Sequence, residues 1–407
     1  MRCGLLGRKL GHSYSPAIHS QLADYRYELF EKEPEELEEF LKSGDFTGLN
    51  VTIPYKKVVA AFCDELSERA QKLGAVNTVV RRADGTLVGH NTDYFGFYSL
   101  VLRSGLHVYG KKVLVLGSGG ASATAVCVLQ ELGADVVVIS RSGVNNYNNL
   151  HMHADAAVIV NTTPVGMYPN VGISPVDLDQ FTQLEGVLDV VYNPARTQIL
   201  LDAEARGLVA LNGLWMLVAQ AKESAEWFSG KLLDDSKIAE IHCKLQQQMI
   251  NTVLIGMPGC GKSTIGKELA RRLHKQFVDA DAVIVREAGM SIPEIFNEVG
   301  ESGFREIESK VLADLGKQSN LVIATGGGCV TRTENYRSLH QNGRILWIER
   351  DVSSLPTEGR PLSHRGRLNE MYRIRRPLYE AFADARYQNN TSVQDIIDTI
   401  LASEEFQ

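Results

Sequence analysis

The chain of 407 residues is long enough for two or three domains, each with its own core, at roughly 150 residues per domain. Its composition, with 44% hydrophobic and 22% charged residues, is that of a globular protein and excludes a disordered or fibrous chain. The formal charge of -7 provides no basic footprint for a nucleic acid, so the expected partners are small molecules.

The first 95 residues alternate short apolar runs with helical stretches, which predicts an α/β layer. Strands are expected at residues 2–6, 48–52 and 76–80, and a helix is expected at residues 34–42. Polar side chains collect at strand ends and loops of this region, in the segments GHSYSP (11–16), NVTIPYK (50–56), GAVNT (74–78) and GHNTD (89–93). Each segment alone also fits the helix caps and turns that Ser, Asn and Asp commonly form.

A glycine-rich loop follows the apolar strand predicted at residues 111–116. It provides glycine for a tight turn and for close backbone approach, and a small residue where a helix would pack on the strand. Its residues are Gly117, Ser118, Gly119, Gly120 and Ala121. The pattern indicates a dinucleotide loop, although an ordinary strand-to-helix connection can carry the same glycines.

The next predicted strand, at residues 135–139, ends in Ser140 and Arg141. A site for NAD would place an acidic residue here to hold the ribose hydroxyls, whereas a guanidinium and hydroxyls favour a 2′-phosphate. These residues therefore favour NADP as the cofactor. The alternative is an arginine that only meets solvent.

A second phosphate-binding signature is the sharpest motif in the chain. Residues 256–263, GMPGCGKS, fit the pattern GxxxxGK[ST] and follow the apolar strand predicted at residues 251–255. In this motif backbone amides cradle phosphates, Lys262 reaches the β- and γ-phosphates, and Ser263 binds Mg²⁺. The motif predicts a site for ATP and Mg²⁺.

Acidic and basic residues follow the phosphate loop at short intervals. Asp279 and Asp281 lie two apart at the end of a predicted strand, so their side chains should point opposite ways, one toward Mg²⁺ and the other toward a substrate hydroxyl. Arg305 and Glu308 lie three apart on an expected helix and share a face, which fits a carboxylate-binding pair or a surface ion pair.

The two phosphate loops divide the chain. We expect a substrate domain at residues 1–95 that is completed by residues 213–240, a nucleotide domain at 96–212, a linker at 241–249 and a second nucleotide-binding domain at 250–407. The six scattered cysteines form no CxxC pair, and the chain shows neither a secretory leader nor an apolar run near 18 residues. These features favour a cytoplasmic protein without a membrane span.

Taken in order, the motifs of residues 1–240 resemble shikimate dehydrogenase. The segments that carry the resemblance are GLLGRKLGHSYSPAIH, GLNVTIPYK, GAVNT, GHNTD, GSGGAS, NTTPVGM, DVVYNP and NGLWMLVAQA. The resemblance implies an α/β substrate domain, a Rossmann-type NADP domain, and NADPH-dependent reduction of 3-dehydroshikimate to shikimate.

The same resemblance implies roles for individual residues. Lys56 and Asp93 match the catalytic pair of the family, in which lysine carries the proton and aspartate orients it and the substrate hydroxyl. Residues matching substrate contacts are Ser13, Ser15, Thr52, Asn77, Tyr192 and Gln220. Cofactor contacts are expected from the glycine-rich loop, Ser140 and Arg141, together with Asn161, Thr162, Val190 and Gly213.

Residues 250–407 resemble shikimate kinase, which implies a P-loop domain with a parallel sheet flanked by helices and phosphoryl transfer from ATP to the 3-hydroxyl of shikimate. Asp281 matches the residue that contacts this hydroxyl, and Ser263 and Asp279 match the magnesium ligands. Arg360 matches the lid arginine that supports charge on the transferred group. Residues matching substrate contacts are Arg305, Gly326, Gly327, Gly328 and Arg375, and those matching nucleotide contacts are Gly259, Cys260, Gly261, Lys262, Ser263 and Thr264.

Two departures concern the first half of the chain. Only thirteen residues, 142–154, separate Arg141 from the next strand, too few for the helix and strand that the dehydrogenase family commonly has there, so we expect a reduced adenine-side wall. Trp215 replaces a small glycine of the family pattern, and its indole either narrows the pocket or packs into the core. In the second half of the chain, the lid segment lacks an arginine that stacks on adenine in some members of the kinase family.

The favoured hypothesis is a bifunctional enzyme, because the product implied by the first site is the acceptor implied by the second. An alternative is an active kinase joined to a catalytically degenerate dehydrogenase-like module. A third hypothesis is an enzyme of the same class that uses quinate as substrate or NADH as hydride donor. Arg141 argues against NADH. The sequence leaves open whether the chain forms a homo-oligomer.

Overall fold

The computed structural model describes residues 1–11, 13–355 and 365–403, without the side chains of 365–367. The chain forms two compact units. The first comprises Met1–Val165, Ser174–Tyr192 and Ile199–Lys244, and the second comprises Gly166–Ile173, Asn193–Gln198 and Leu245–Gln407. The predicted α/β class is confirmed in both units.

The first unit begins with a six-stranded sheet. Its strands are β1 (Arg2–Gly7), β2 (Arg26–Glu31), β3 (Gly48–Val51), β4 (Glu65–Leu66), β5 (Thr78–Arg81) and β6 (Leu87–His90), in the order β2-β1-β3-β5-β6-β4. Strand β5 is antiparallel to β3 and β6, and the other pairs are parallel. The helices are α1 (Ser15–Leu22), α2 (Leu37–Ser43), α3 (Lys56–Ala60), α4 (Glu68–Leu73) and α5 (Asp93–Ser104).

Two sequence-based boundaries in this sheet shift for local reasons. The helix predicted at residues 34–42 is a 3-10 turn, Pro34–Glu36, followed by α2. The third predicted strand begins at Thr78, because the amide of Val76 bonds to the carbonyl of Lys56 at 2.7 Å instead of continuing the ladder. This bond ties α3 to the strand.

The second sheet of this unit is fully parallel. Its strands are β7 (Lys112–Leu116), β8 (Asp135–Ile139), β9 (Val158–Asn161), β10 (Gly186–Asp189) and β11 (Val209–Leu211), in the order β11-β10-β9-β7-β8. Helices α6 (Gly120–Glu131), α7 (Gln198–Glu204) and α8 (Leu214–Ser229) accompany it. The strand order reverses between β7 and β9, and ligands of open α/β sheets bind at the carboxyl ends of the strands beside such a point.

Strand β8 forms one edge of this sheet. The chain returns from it to β9 through a loop that contains only a short 3-10 helix, Leu150–His153. The segment 142–154 therefore adds neither an α-helix nor a strand beyond β8, as its length predicts.

Helix α9 (Ser236–Met249) contains the nine residues expected to form a linker, and the first unit ends within it at Lys244. Trp215 packs beside this helix. Its Nε1 donates to Ser99 Oγ at 2.7 Å, the guanidinium of Arg103 lies 4.0 Å from the ring centroid, and the ring of His242 meets it edge-on at 5.3 Å. The indole thus packs among α5, α8 and α9, which is the second of the two placements considered from the sequence.

The second unit is built on a five-stranded parallel sheet. Its strands are β12 (Asn251–Ile255), β13 (Gln276–Asp279), β14 (Leu321–Ala324), β15 (Gly343–Glu349) and β16 (Ala385–Gln388), in the order β13-β14-β12-β15-β16. The helices are α10 (Lys262–Leu273), α11 (Ala280–Ala288), α12 (Ile292–Gly316), α13 (Glu334–His340), α14 (Arg365–Phe382) and α15 (Val393–Leu401). The central strand β12 is buried along its whole length, as expected of a parallel strand covered on both faces.

Helix α12 changes direction at Gly300, whose φ of 71° only glycine adopts without strain. Residues on both sides of this turn line one cavity of the second unit. Within the described ranges of the chain, none of the helices combines the length and the apolar character needed to cross a membrane.

Candidate active sites

An ammonium and a carboxylate meet in the first unit. Lys56 begins α3 and Asp93 begins α5, and Lys56 Nζ donates to Asp93 Oδ2 at 2.5 Å. Their side chains are 30% and 17% exposed, so the pair is accessible to a small ligand without being fully solvated. Asn77 Nδ2 donates to the other carboxylate oxygen, Oδ1, at 2.9 Å. Both oxygens of Asp93 are therefore held.

Gln220, from α8, lies next to this pair. Its Oε1 is 3.5 Å from Asn77 Nδ2, and its Nε2 donates to the carbonyl of Leu217 at 2.8 Å. The structure thus brings four predicted site residues, Lys56, Asn77, Asp93 and Gln220, into one cluster although they are spread over 165 positions of sequence. In this cluster an ammonium, a carboxylate and amides can bind a hydroxylated substrate and move a proton.

The predicted serines form a second group. The amide of Ser15, at the start of α1, donates to Ser13 Oγ at 3.2 Å. Tyr14, between them, packs edge-to-face against Tyr192 with ring centroids 6.2 Å apart. Burial raises the pKa of Tyr192, which keeps its hydroxyl neutral.

Thr52 follows β3, and its amide donates to the carbonyl of Leu6 in β1 at 2.9 Å. No hydrogen bond in the described part of the chain joins Thr52, the two serines or Tyr192 to Lys56 or Asp93. The structure therefore brings the serine segment together with Tyr192, but it links neither to the charged pair directly.

The glycine-rich loop lies between β7 and α6 at the reversal point of the second sheet. A β-carbon on Gly119 or Gly120 would meet nothing within 4 Å, so the space above the first turn of α6 is open. Gly117 has a φ of 109°, and Ser122 Oγ donates to its carbonyl at 2.8 Å. This open, preformed turn at a helix N-terminus fits a pyrophosphate group.

The other predicted cofactor residues line the neighbouring strand ends. Thr162 Oγ1 donates to the carbonyl of Leu116 at 2.6 Å, which fixes the end of β9 against β7. Asn161 Nδ2 donates to Asp189 Oδ1 at 3.0 Å. A β-carbon on Gly213 would lie 2.1 Å from the carbonyl oxygen of Val190, so only glycine fits there.

Arg141 follows the edge strand β8, next to the glycine-rich loop on β7. It is exposed, and among the residues that the structure describes no carboxylate lies within 4.0 Å of its guanidinium. The loop after it is closed by its own hydrogen bonds, from the amide of Ser140 to the carbonyl of Asn145 at 3.2 Å and from the amide of Asn146 to Asn149 Oδ1 at 2.7 Å. A free cation on a fixed loop suits a phosphate group.

The P-loop of the second unit connects β12 to α10. Gly256, Gly259 and Gly261 all have positive φ, at 142°, 83° and 103°. Lys262 Nζ lies inside the loop, where it donates to the carbonyls of Gly256 at 2.8 Å and Met257 at 3.0 Å. The loop thus holds the backbone and lysine geometry that phosphate binding requires.

The predicted magnesium ligands are adjacent. Ser263 Oγ donates to Asp279 Oδ2 at 2.8 Å, and oxygen ligands of this kind are what Mg²⁺ prefers. Asp279 Oδ1 accepts from the amide of Asp281 at 3.1 Å and caps α11. The expectation that both aspartates end a strand is wrong for Asp281, which lies in the first turn of α11 because Asp279 starts the helix as its cap.

A cavity of about 650 Å³ lies beside the P-loop, a size that suits a small ligand and part of a nucleotide. Its wall includes the predicted residues Gly259, Gly261, Lys262, Ser263, Thr264, Asp279, Asp281, Arg305, Gly326, Gly327, Gly328 and Arg375. The predicted residue Cys260 is fully buried and takes part through its backbone, whose carbonyl accepts from Asn389 Nδ2 at 2.7 Å. Arg360 lies outside the described residues.

Two guanidinium groups flank the glycine loop of this cavity. Arg305 Nη1 pairs with Glu308 Oε2 at 2.6 Å, and both side chains are buried, so the surface ion pair considered from the sequence is excluded. Arg375 Nη1 donates to the carbonyl of Gly327 at 3.0 Å. Burial raises the pKa of Glu308, and the neighbouring Arg305 opposes that rise. Two cations above a glycine loop are suited to a carboxylate ligand.

Some residues of the cavity carried no signal in the sequence. An apolar wall is formed by Ile292, Pro293, Phe296 and Met371, and the Tyr379 hydroxyl donates to the carbonyl of Gly327 at 2.5 Å. Apolar residues that line a ligand have the same periodicity as those that fill a core, so the pattern could not single them out. Asn389, which supports the P-loop, lies more than a hundred residues after it.

The chain is similar to known proteins in both halves. Residues 5–79 match the family model "Shikimate dehydrogenase substrate binding domain", and residues 258–404 match the model "Shikimate kinase". A shikimate dehydrogenase (NADP(+)) of Clostridium perfringens is 35% identical over 265 residues, which cover 60% of this chain and 97% of the relative.

Solved structures are similar over the same region. A chorismate mutase/shikimate 5-dehydrogenase fusion protein from Clostridium acetobutylicum is 36% identical with a TM-score of 0.58, covering 60% of this chain and 97% of its own. A shikimate 5-dehydrogenase from Thermus thermophilus, in complex with NADP(H) and shikimate, is 33% identical with a TM-score of 0.55, covering 60% of this chain and 99% of its own.

Proposed function

Because the chain belongs to the shikimate dehydrogenase family and also carries a shikimate kinase domain, we propose that it catalyses two consecutive reactions. The first is the reduction of 3-dehydroshikimate to shikimate with NADPH, and the second is the phosphorylation of shikimate at its 3-hydroxyl with ATP and Mg²⁺. The chain is thus a bifunctional enzyme of the shikimate pathway. The observation that carries the proposal is that each unit brings charged side chains suited to its reaction into one site, and the product of one reaction is the acceptor of the other.

In the first unit, NADPH supplies the hydride when it is bound. Reduction of a ketone also needs a proton at the oxygen, and Lys56 Nζ is the group placed to deliver it. Asp93 holds that ammonium at 2.5 Å and accepts a hydrogen bond from a substrate hydroxyl. The amides of Asn77 and Gln220 bind further hydroxyls of the ring.

The serine segment binds the other end of the substrate. The hydroxyls of Ser13 and Ser15 donate to the substrate carboxylate, with Thr52 and Tyr192 as further polar contacts. The free guanidinium of Arg141 binds the 2′-phosphate that distinguishes NADP from NAD. The open turn around Gly119 and Gly120 receives the pyrophosphate.

In the second unit, ATP is the phosphoryl donor. Lys262 would neutralise the β- and γ-phosphates, and Ser263 and Asp279 would hold Mg²⁺. Asp281 accepts the proton of the attacking hydroxyl. Arg305 and Arg375 hold the carboxylate of shikimate, and the Glu308 carboxylate keeps Arg305 in place.

The alternative, a kinase with a degenerate dehydrogenase-like module, rested on Trp215 and the short segment 142–154. Trp215 is occupied by contacts to Ser99, Arg103 and His242, so it gives no reason to regard the substrate pocket as filled. The half-buried Lys56–Asp93 pair also favours an active site. A pocket without catalytic function gains no stability from two partly desolvated charges.

Paired variants of the full-length chain test the proposal. Lys56→Met removes the ammonium at similar length and is expected to lower kcat for NADPH oxidation about 10³-fold, a typical loss for a missing general acid, with the kinase rate unchanged. Asp281→Asn is expected to show the reverse pattern. Each variant is the control for the other. A Lys56→Met chain that still oxidises NADPH at the wild-type rate contradicts the role given to Lys56.

A further inference from the structure

A cluster of buried polar side chains lies behind the Lys56–Asp93 pair and has no part in the mechanism above. At its centre is the hydroxyl of Ser224, on α8, which is fully buried. The hydroxyl accepts from Asn50 Nδ2 at 2.8 Å and donates to the carbonyl of Gln220 at 2.9 Å. Thr78 Oγ1 and Thr92 Oγ1 each lie 2.9 Å from it. Four elements, β3, β5, α5 and α8, therefore meet at one oxygen atom.

The hydrogen-bonding capacity of the Ser224 hydroxyl is fully used. A hydroxyl has one donor and two acceptor positions, and four polar neighbours already compete for these three. Thr78 and Thr92 are also fully buried, and Asn50 is 5% exposed. Water has no access to replace a lost partner, so each bond in this cluster is costly to remove.

Thr92 connects the cluster to the catalytic pair. It is the residue before α5. Its amide donates to Asn77 Oδ1 at 2.7 Å, and its hydroxyl accepts from Asn77 Nδ2 at 3.0 Å, which leaves the hydroxyl proton for Ser224. Asn77 Nδ2 in turn holds Asp93 Oδ1 at 2.9 Å. The line of contacts from Ser224 through Thr92 and Asn77 to Asp93 contains no apolar link.

We propose that Ser224 and Thr92 are positioning residues of the dehydrogenase site. Their hydroxyls fix the start of α5 and the side-chain amide of Asn77, so that Asp93 holds Lys56 in the orientation that the substrate requires. The inference rests on the proposed dehydrogenase function. Apolar side chains of the same size would fill this space without a desolvation cost, so stability alone does not call for four buried polar side chains. Neither hydroxyl touches the charged pair, and their effect passes through Asn77.

Substitution of the hydroxyl without change of shape tests this role. Thr92→Val replaces the hydroxyl by a methyl group of similar size, whereas Thr92→Ser keeps the hydroxyl and loses the methyl group. Because small displacements in an active site reduce rates steeply, we expect Thr92→Val to lower kcat about 10- to 100-fold, with KM for 3-dehydroshikimate changed less than about threefold. Thr92→Ser should restore kcat to within a few-fold of wild type.

Ser224→Ala is the second variant, and it should reproduce the loss in kcat. Ser229→Ala is its matched control, because Ser229 lies on the same helix and donates to the carbonyl of Ala225 at 2.8 Å, but has no bond to the cluster. All variants are examined as full-length protein, with the thermal unfolding midpoint and the kinase rate of the same chain as checks on folding. The double variant of Ser224 and Thr92 should lose less than the product of the two single losses, since both act through one network.

The outcomes separate the two proposals. Folded Ser224→Ala and Thr92→Val chains with kcat within twofold of wild type overturn the positioning role. Equal losses in Thr92→Val and Thr92→Ser also overturn it, because then the shape and not the hydroxyl matters. A wild-type chain that does not oxidise NADPH overturns the proposed dehydrogenase function, and the positioning role with it.

Discussion

The glycine loop of the kinase cavity offers a sharp test of how the carboxylate-binding arginines are placed. Gly328 has a φ of -103°, a conformation open to any residue, so alanine at this position strains no backbone dihedral. A β-carbon there would lie 2.1 Å from Arg305 Nη2 and 2.3 Å from its Cζ. Gly328→Ala therefore acts on the guanidinium of Arg305 and leaves the backbone in place.

The size of the effect follows from these distances. Ordinary contact begins at roughly 3.4 Å, so the guanidinium must retreat by about 1.3 Å from the alanine methyl group. Arg305 cannot yield freely, because Glu308 holds it at 2.6 Å in a buried pair. A misplacement of about 1 Å in an active site costs on the order of 100-fold in rate, or about 2.7 kcal/mol. We expect kcat/KM for shikimate to fall by about that factor.

The assay is ADP production at varied shikimate and at varied ATP. KM for ATP should stay near the wild-type value, and NADPH oxidation by the same chain should not change. The double variant with Arg305→Ala is the control, since the methyl group has nothing left to displace and should add no further loss to that of Arg305→Ala alone. A Gly328→Ala enzyme with wild-type kcat/KM refutes this account of the loop, and so does a loss that adds in full to that of Arg305→Ala.

Three further changes test other parts of the chain. Arg141→Ala removes a charged hydrogen bond to the 2′-phosphate and should raise KM for NADPH about 10- to 100-fold, with little effect on the rate with NADH. Equal effects on both cofactors would contradict the role of Arg141. Burial raises the pKa of Glu223 from 4.5 to about 7, so the folded state binds the extra proton, and the contribution of Glu223 to the free energy of unfolding falls by up to about 3 kcal/mol as the pH rises from 4.5 to 7. Glu223→Gln should flatten that pH dependence in denaturant titrations, and an unchanged slope would show that Glu223 titrates normally. Trp215→Ala removes the indole between α5, α8 and α9 and should lower the free energy of unfolding by about 2 kcal/mol, whereas an unchanged melting curve would show that the indole contributes nothing there.

Much of the fold could be predicted from local sequence because the strands are continuous apolar runs. Strands β7, β8 and β12 lie within one residue of their expected bounds, and each glycine loop follows directly after its strand. Strands β7 and β12 are almost wholly buried, as expected of central parallel strands, whereas the edge strand β8 is only partly buried and is marked by its β-branched residues. The short connection after β8 could also be predicted. The strand β9 begins at Val158, three residues later than expected, and residues 142–157 still contain only a short 3-10 helix.

The errors and omissions lie where tertiary contacts decide. Asp281 was expected on a strand, but the side chain of Asp279 caps a helix at that point and turns the next residues into its first turn. Ser224 has the sequence context of an exposed helix residue, and only the meeting of four elements makes it a buried centre. The two places for the Trp215 indole could not be distinguished until the packing of α9 was known.

The central claim is that one chain carries two active sites whose reactions follow each other. The most direct measurement supplies the purified chain with 3-dehydroshikimate, NADPH, ATP and Mg²⁺, and follows NADPH absorbance together with ADP, with NADH in place of NADPH as a parallel reaction. The account predicts oxidation of NADPH in preference to NADH, and formation of ADP that depends on the first reaction when no shikimate is supplied. A chain that phosphorylates supplied shikimate but oxidises neither cofactor would contradict it, and the first unit would then be a scaffold for the kinase.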